Sequence, residues 1–363
     1  MFNQYFKDKR VLVIGHTGFK GAWLSEWLLM LGANVSGISL DVPTTPSLFD
    51  TLHLSDRLND HRCDIRDLNA LRALFVKEAP QIVFHLAAQP IVSQGHADPK
   101  TTFDTNLGGT INVMEAIRVT PTIESAIMIT SDKCYHNVEW PYGYRENDRL
   151  GGKDPYSASK ACAELAIHAY YESFFKNSNQ CIASVRAGNV IGGGDWADNR
   201  IVPDCIRAWS HHNPVTIRAP NATRPWQHVL EPLSGYLLLA SKLDGLLSGQ
   251  AYNFGPDASV NASVNTLIHE LAVDWDNAAI DVNPSTMQYA EAGLLKLSCD
   301  KALNDIHWQP TLNLKDTIHY TSKWYLGHKN NMDMLALTQD QIMSYCKQAN
   351  KKEQVWCTNA QIA

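Results

Sequence analysis

The sequence predicts an α/β fold, a doubly wound parallel sheet with a smaller C-terminal substrate-binding lobe. Two observations carry that expectation. Short apolar runs alternate with segments of helical spacing through the first half of the chain, and three glycines stand where the first run meets the first helical segment. Continuous apolar runs are what strands buried on both faces look like, because each crossover helix must pack back onto the sheet.

The elements follow in order. RVLVIG (residues 10–15) is an apolar strand, and GAWLSEWLLMLG (21–32) has helical spacing and ends on a glycine, as a helix C-terminus favours. ANVSGISL (33–40) is a second strand. DLNALRALFVKEAP (67–80) reads as a helix capped by Asp67 and stopped by Pro80. QIVFHLAA (81–88) is a strand, TNLGGTINVMEAIRVT (105–120) a helix, and SAIMI (125–129) a buried strand. The dinucleotide-type domain is expected over residues 1–190, with some later segments returning to it. The pattern then breaks into GGGDWADNR and APNATRPWQH, so residues 191–330 are expected to be mainly the substrate lobe, with GGGDW as a flexible hinge. Residues 331–363 form a C-terminal extension with one helical stretch, LTQDQIMSYCKQ.

Composition narrows the function. The chain has 363 residues and 45% hydrophobic content, enough for a large core. Its 31 basic and 37 acidic residues give a net charge of −6 without a basic block, which argues against nucleic acid or an anionic membrane as partner. The chain enters its first strand within about a dozen residues, and no apolar stretch approaches the roughly 18 residues of a membrane span, so a cytoplasmic protein is expected. Eight cysteines without C-x-x-C spacing argue against a zinc site and a disulfide framework, and no metal is expected.

Three motifs carry chemistry. In GHTGFKG, Gly15, Gly18 and Gly21 follow a strand and open a helix. Glycines there make a tight turn and let backbone approach a diphosphate, which the helix N-terminus attracts; this is the Rossmann-type arrangement. The acid that binds the adenosine ribose is expected about 20 residues on, where Asp41 stands, although Asp41 in LDVP is equally placed as a turn former. No arginine follows that strand to favour a 2′-phosphate, so NAD is expected rather than NADP. Asp64, in the polar turn CDIRD, is placed to meet the adenine amino group. In DPYSASK, Tyr156 and Lys160 share one helix face, where the ammonium lowers the phenol pKa and reaches the cofactor ribose. A phenolate is a competent base for an alcohol losing a hydride. In TSDKCYHN, Asp132 and Lys133 are either a charged turn or an acid and a base aimed at one substrate.

With HLAAQ (85–89), TNLGGT (105–110), RAGNVIGGGDW (186–196), RPWQHVLE (224–231), YNFGP (252–256) and LSCDKALNDIHWQP (297–310) in the same order, the chain resembles the extended short-chain dehydrogenase/reductases acting on nucleotide sugars over about 320 residues. Within them it looks most like the 4,6-dehydratases. The resemblance implies a tightly held NAD, a homodimer formed through helices near 105–118 and 156–174, and a CDP-linked glucose as substrate. Its keto product would be an early intermediate of dideoxy sugars on bacterial surface polysaccharides such as O-antigen lipopolysaccharide. It places the cofactor on Gly15, Thr17, Gly18, Phe19, Gly21, Asp41, Asp64, Ile65, Leu86, Ala87, Ala88, Asn106, Tyr156 and Lys160. Substrate contacts are expected from Gln89, Asn189, Asn199, Arg200, Arg224 and His228, with Trp226 and His228 either flanking the base or filling the lobe.

In the related dehydratases a hydride leaves C4, a proton leaves C5, water leaves C6, and the hydride returns to C6. The resemblance gives Tyr156 the C4 hydroxyl proton, Ser131 a hydrogen bond to that hydroxyl, and Asp132 the protonation of the C6 oxygen. Lys133 stands where the dTDP-glucose dehydratases carry Glu. As a C5 base it would need a depressed pKa, and its alternative role is stabilising the enolate. Two other readings stay open. A nucleotide-sugar 4-epimerase shares Tyr156 and Lys160 but has no need of Asp132 and Lys133, and a non-enzymatic NAD sensor needs only the glycine motif.

Overall fold

The computed structural model describes residues 1–276, 278–283 and 293–357. Seven parallel strands make its central sheet: β1 (Arg10–Ile14), β2 (Asn34–Ser39), β3 (Asn59–Arg62), β4 (Ile82–His85), β5 (Ser125–Ile129), β6 (Cys181–Ala187) and β7 (Ala251–Phe254). Their order is β7-β6-β5-β4-β1-β2-β3, with Val11 of β1 paired to Val35 on one side and to Ile82 on the other. The chain reverses its direction of winding between β1 and β4, and in such sheets ligands bind outside the carboxyl ends of the strands at that point. Strand β7 comes from the second half of the sequence and pairs with β6 at the edge of the sheet.

Helix α1 (Phe19–Met30) begins directly after Gly18, two residues before the expected start. Helix α2 (Leu68–Glu78) is capped by Asp67, whose carboxylate accepts from the Ala70 N–H at 3.0 Å. It ends where Ala79 takes a left-handed conformation, just ahead of Pro80. The segment expected to be one helix over 105–120 instead starts with a π-helical turn, Asp104–Gly108, and continues as α3 (Gly109–Arg118). Helix α4 (Pro155–Tyr170) has Pro155 in its first turn and Asp154 as cap, accepting from the Ser157 N–H at 3.0 Å. One core, around Leu12, Phe75, Val113 and Ile117, lies on one side of the sheet, and a larger one, around Trp23, Trp27, Leu230, Trp308 and Trp324, involves the other.

The later chain is tied closely to this core. Helix α5 (Ile201–Ser210) packs against a short strand (Val215–Ile217), and α6 (Leu230–Lys242) packs against β5 and β7. The expected hinge at GGGDW is instead a close-packed corner. A Cβ on Gly193 would lie 1.9 Å from the Trp324 ring, and the Trp23 indole donates to the Gly193 carbonyl at 2.9 Å. The glycines there serve close approach, with no slack left for hinging. Helices α7 (Leu314–Lys329) and α8 (Met334–Lys351) carry the extension, whose Trp356 stacks on Phe2 at 5.1 Å and whose Tyr345 packs edge-on to Trp27 at 5.8 Å.

One buried carboxyl fastens the extension to α6. Glu231 is 1% exposed and accepts hydrogen bonds from the Thr311 and Leu312 backbone and from the Tyr345 hydroxyl. Burial pushes its pKa up from 4.5 to about 7. Between those values the folded chain holds a proton that the unfolded chain has released, so stability falls as pH rises through that window, by about 3 kcal/mol at most. Urea unfolding of the native protein should therefore give lower stability at roughly pH 8 than at pH 5, with the slope flattened in Glu231→Gln. Identical slopes for the two proteins would refute the assignment.

Candidate active site

The three glycines build a cradle from backbone. Gly15 sits at φ +96°, and a Cβ there would come within 2.6 Å of the Ala87 nitrogen; a Cβ on Gly21 would lie 2.0 Å from the Gly15 carbonyl oxygen. These two close the turn against the end of β4 and the start of α1. Gly18 has ordinary extended backbone, and a Cβ there would have the Gly15 oxygen at 3.5 Å as its only near neighbour. The middle position therefore leaves open space at a helix N-terminus, which suits a diphosphate. The loop is pinned from behind. His16, fully buried, bonds Ser39 Oγ at 3.0 Å and Asp60 Oδ1 at 2.8 Å, and the Thr17 hydroxyl donates to the Asp41 carbonyl at 2.6 Å.

Gly15, Thr17, Gly18, Phe19, Gly21, Asp41, Asp64, Ile65, Leu86, Ala87 and Ala88 all line one cleft of about 1120 Å³. That exceeds the roughly 300–1,000 Å³ of a single-ligand site and leaves room for two ligands. The Asp41 side chain is exposed at its lip. Asp64 is gripped by Arg66, whose Nε and Nη2 donate to Oδ2 at 2.9 and 2.5 Å, and these bonds hold its carboxyl below the ordinary range. An adenine amino group would compete with that guanidinium.

Asn106 is placed differently from the sequence expectation. It stands behind the cleft wall in the π-helical turn, where Nδ2 donates to the Gln89 carbonyl at 3.1 Å and to Ser159 Oγ at 2.9 Å, while Oδ1 accepts from the Gln89 N–H at 2.8 Å. It braces the exit of β4 against α4. Gln89 lines the cleft, but its amide is engaged by the Thr102 hydroxyl and the Ile91 N–H.

The residues expected to handle protons converge from the end of β5 and from α4. After β5 the chain makes a tight turn in which Ser131 Oγ accepts from the Lys133 N–H at 3.2 Å and donates to Asp132 Oδ1 at 3.0 Å. Asp132 is 2% exposed, with Oδ2 unpartnered among the described residues, and Lys133 Nζ lies 3.8 Å from Oδ1. Tyr156 and Lys160, both buried, come from the first turns of α4, and Tyr156 lines the cleft with Ser131. Burial pushes the Tyr156 phenol up to about 12; Ser131 and Arg200 pull against it, and Asp132 pushes with it. Lys160 is pulled down to about 8 by burial. The sequence expectation had Lys160 lowering the Tyr156 pKa. Arg200 is a cation that acts on the phenol, and Glu164 is a carboxylate that acts on Lys160.

On the opposite wall, Asn189, Asn199, Arg200, Arg224 and Trp226 line the cleft. Arg200 Nη1 bonds Asp195 Oδ2 at 2.8 Å, Arg224 Nη1 donates to the Thr223 carbonyl at 2.9 Å, and the Asn189 Oδ1 is buried without a partner among the described residues. His228 is not with them. It is fully buried, edge-on to Trp23 and Tyr320 at 6.0 and 5.4 Å, and burial drives its pKa down to about 3. It fills the core, as aromatic rings in such segments more often do. Two residues absent from the sequence expectation also line the cleft, Lys20 at the start of α1 and Asp195 opposite it. The signal for Lys20 was its position between Phe19 and Gly21, where the helix start already faces the ligand. Among the described residues no cluster of three or more His, Cys, Asp or Glu side chains is arranged for a metal, and no helix is long and apolar enough to cross a membrane.

The profile of the family described as GDP-mannose 4,6 dehydratase matches residues 12–321. The chain belongs to this family. It is 44% identical to the CDP-glucose 4,6-dehydratase of Salmonella typhimurium over 94% of its own length and 97% of the relative's. Solved structures share the fold at lower identity. The UDP-glucose-4-epimerase of Stenotrophomonas maltophila, solved with bound NAD and formylated UDP-arabinopyranose, superposes with TM-score 0.78 at 19% identity, covering 89% of this chain and 99% of the other. The UDP-glucuronic acid 4-epimerase of Bacillus cereus, in complex with UDP-glucuronic acid and NAD, gives 0.75 at 21%, covering 88% and 99%.

The open space at Gly18 makes the cradle testable separately from folding. Gly18→Ala is expected to keep the native unfolding midpoint, since its backbone suits alanine, while weakening NAD binding at least about tenfold by filling the diphosphate's approach. Undiminished NAD affinity in a titration would show that the cradle does not hold the cofactor.

Proposed function

We propose that this protein converts CDP-D-glucose to CDP-4-dehydro-6-deoxy-D-glucose and water. One observation carries the reading: Asp132 and Lys133 share the cleft with Tyr156 and Lys160, so an acid and a second base accompany the base that an alcohol oxidation needs. The 44% identity to a CDP-glucose 4,6-dehydratase supports the sugar and the cytidine.

The chain's residues divide the work. Tyr156, in the cleft with Ser131 and Arg200, takes the proton of the C4 hydroxyl. Lys160 binds the cofactor ribose. Lys133 takes the proton from C5, which the new C4 carbonyl has made acidic, and Asp132 protonates the C6 oxygen as it leaves. NAD, when bound in the glycine cradle, supplies the acceptor for the C4 hydride and the donor that returns it to C6. Lys133 then gives its proton back to C5. The proton left on Tyr156 balances the one Asp132 gave up, so the net loss is one water. Arg224, Asn189 and Arg200 hold the nucleotide's diphosphate, Arg224 with two donors in a planar fork.

The same reading extends to the setting. The net charge of −6 supports a small-molecule partner without nucleic acid, and the chemistry supports a cytoplasmic enzyme that feeds surface-polysaccharide sugars. Leu165 and Phe174, 58% and 51% exposed along α4 and the turn that follows it, support a homodimer formed through this region.

Incubation with CDP-glucose and, separately, with dTDP-, UDP- and GDP-linked hexoses tests the proposal. The alkali-induced absorbance of a 4-keto-6-deoxy sugar is expected with CDP-glucose alone. The same absorbance from another nucleotide's sugar would overturn the cytidine assignment, and a C4 epimer in its place would overturn the reaction.

A further inference from the structure

Lys20 is a cation in the middle of the cleft that the proton chemistry above does not use. It is the second residue of α1, lines the cleft and makes no hydrogen bond or ion pair among the described residues. Its surroundings are fixed by contacts on both sides. A Cβ on Gly192 would lie 3.2 Å from the Phe19 ring, and one on Gly188 would lie 3.3 Å from Asp132 Oδ2. The segment 188–200 thus bridges the start of α1 and the acid after β5, and it carries Asp195 and Arg200.

The charges gathered there do not balance. Lys20 shares the cleft with Arg200, Lys160, Asp132 and Asp195 and is acted on by their charges, and Lys133 adjoins Asp132. Asp195 is already bonded by Arg200 at 2.8 Å. With Arg200 bonded to Asp195, Lys133 beside Asp132 and Lys160 acted on by Glu164, Lys20 is the cation of this group without a carboxylate of its own. Excess charge out of bulk water is unfavourable unless paired, and burial together with Arg200 accordingly pulls the Lys20 pKa down to about 8. A diphosphate carries at least two negative charges and accepts several hydrogen bonds, which is the complement this cluster lacks. The open space beside Gly18 lies at the same helix start.

We propose that Lys20 is a diphosphate-binding residue whose ammonium, unpartnered at the start of α1 among Asp132, Lys160, Asp195 and Arg200, closes on a phosphate of a bound nucleotide. The cofactor and the nucleotide sugar both carry a diphosphate, and the inference rests on the proposed function only for the identity of the second. Bound there, Lys20 draws that nucleotide toward Asp132, so phosphate binding and placement of the sugar are coupled through one side chain.

The test uses Lys20→Met and Lys20→Arg and reads binding, so it needs no turnover. NAD is titrated into each protein, and CDP and CMP are titrated in the presence of saturating NAD. The expected result is at least tenfold weaker binding by Lys20→Met in one arm, an unchanged unfolding midpoint, and recovery of affinity in Lys20→Arg. A loss in the NAD arm assigns the cofactor's diphosphate. A loss in the CDP arm, with the preference for CDP over CMP narrowed tenfold, assigns the substrate's. A merely structural lysine would weaken CDP and CMP alike. Native affinities throughout, or equal losses for CDP and CMP with no loss in the NAD arm, would overturn the proposal. Failure of the native protein to dehydrate CDP-glucose would overturn the proposed function and leave this result standing.

Discussion

The buried ion pair between Glu164 and Arg186 is the constraint on which the rest of the site depends. Both side chains are about 4% exposed or less, and Arg186 Nη2 donates to Glu164 Oε2 at 2.8 Å. Taking two charges out of water is unfavourable by several kcal/mol per ion unless further hydrogen bonds satisfy them. Most of those bonds are present, Arg186 Nε being buried without a partner among the described residues. Glu164 accepts from the hydroxyls of Thr130 and Ser184, and Arg186 donates to the Tyr135 hydroxyl at 2.7 Å and the Glu146 carbonyl at 2.9 Å, with its guanidinium 4.9 Å from the Tyr135 ring centroid. Burial pushes the Glu164 carboxyl upward, yet Arg186 and the two hydroxyls hold it below the ordinary range.

The network reaches both halves of the proposed catalytic set. Tyr156, Lys160 and Glu164 recur every four residues along one face of α4, so anchoring the third orients the other two. Thr130 and Tyr135 bracket the turn that carries Ser131, Asp132 and Lys133, and Tyr135 is bonded onward to Asn253 of β7 at 2.8 Å. One pair of charges thus holds the phenol and the acid–base pair in a common frame, which is what supporting groups around a reactive site must do. A substitution that removed either partner would leave a buried charge stranded beneath the reactive groups.

Much of this was legible in the sequence, for identifiable reasons. The β1–loop–α1 unit announces itself because only glycine tolerates the approach of Ala87 to Gly15 and of the Gly15 carbonyl to Gly21. Tyr156 and Lys160 were visible because helical spacing converts sequence distance into a shared face. Other positions depended on partners far along the chain. His228 sits in an ordered family motif, yet its place against Trp23 and Tyr320 is decided by packing across more than 90 residues of separation on either side. Asn106 was obscured by the π-helical turn, which rotates it toward Gln89 and Ser159. The three glycines of GGGDW looked flexible in composition, while Val229, Trp324 and Leu48, each far along the chain, make the lack of side chains at Gly192, Gly193 and Gly194 a packing requirement. Lys20 was hidden inside a motif read only for its glycines.

The scaffold is shared with 4-epimerases of similar fold, and what separates the two chemistries is the number of groups that can move a proton. An epimerase returns the hydride to the carbon it came from. The proposed dehydration sends it to C6, because Lys133 and Asp132 open that position by elimination. The most direct test is turnover of CDP-glucose carrying deuterium at C4, with the product read by NMR and mass spectrometry. The predicted result is deuterium in the C6 methyl group of the 4-keto product; deuterium retained at C4 of a hexose would contradict it.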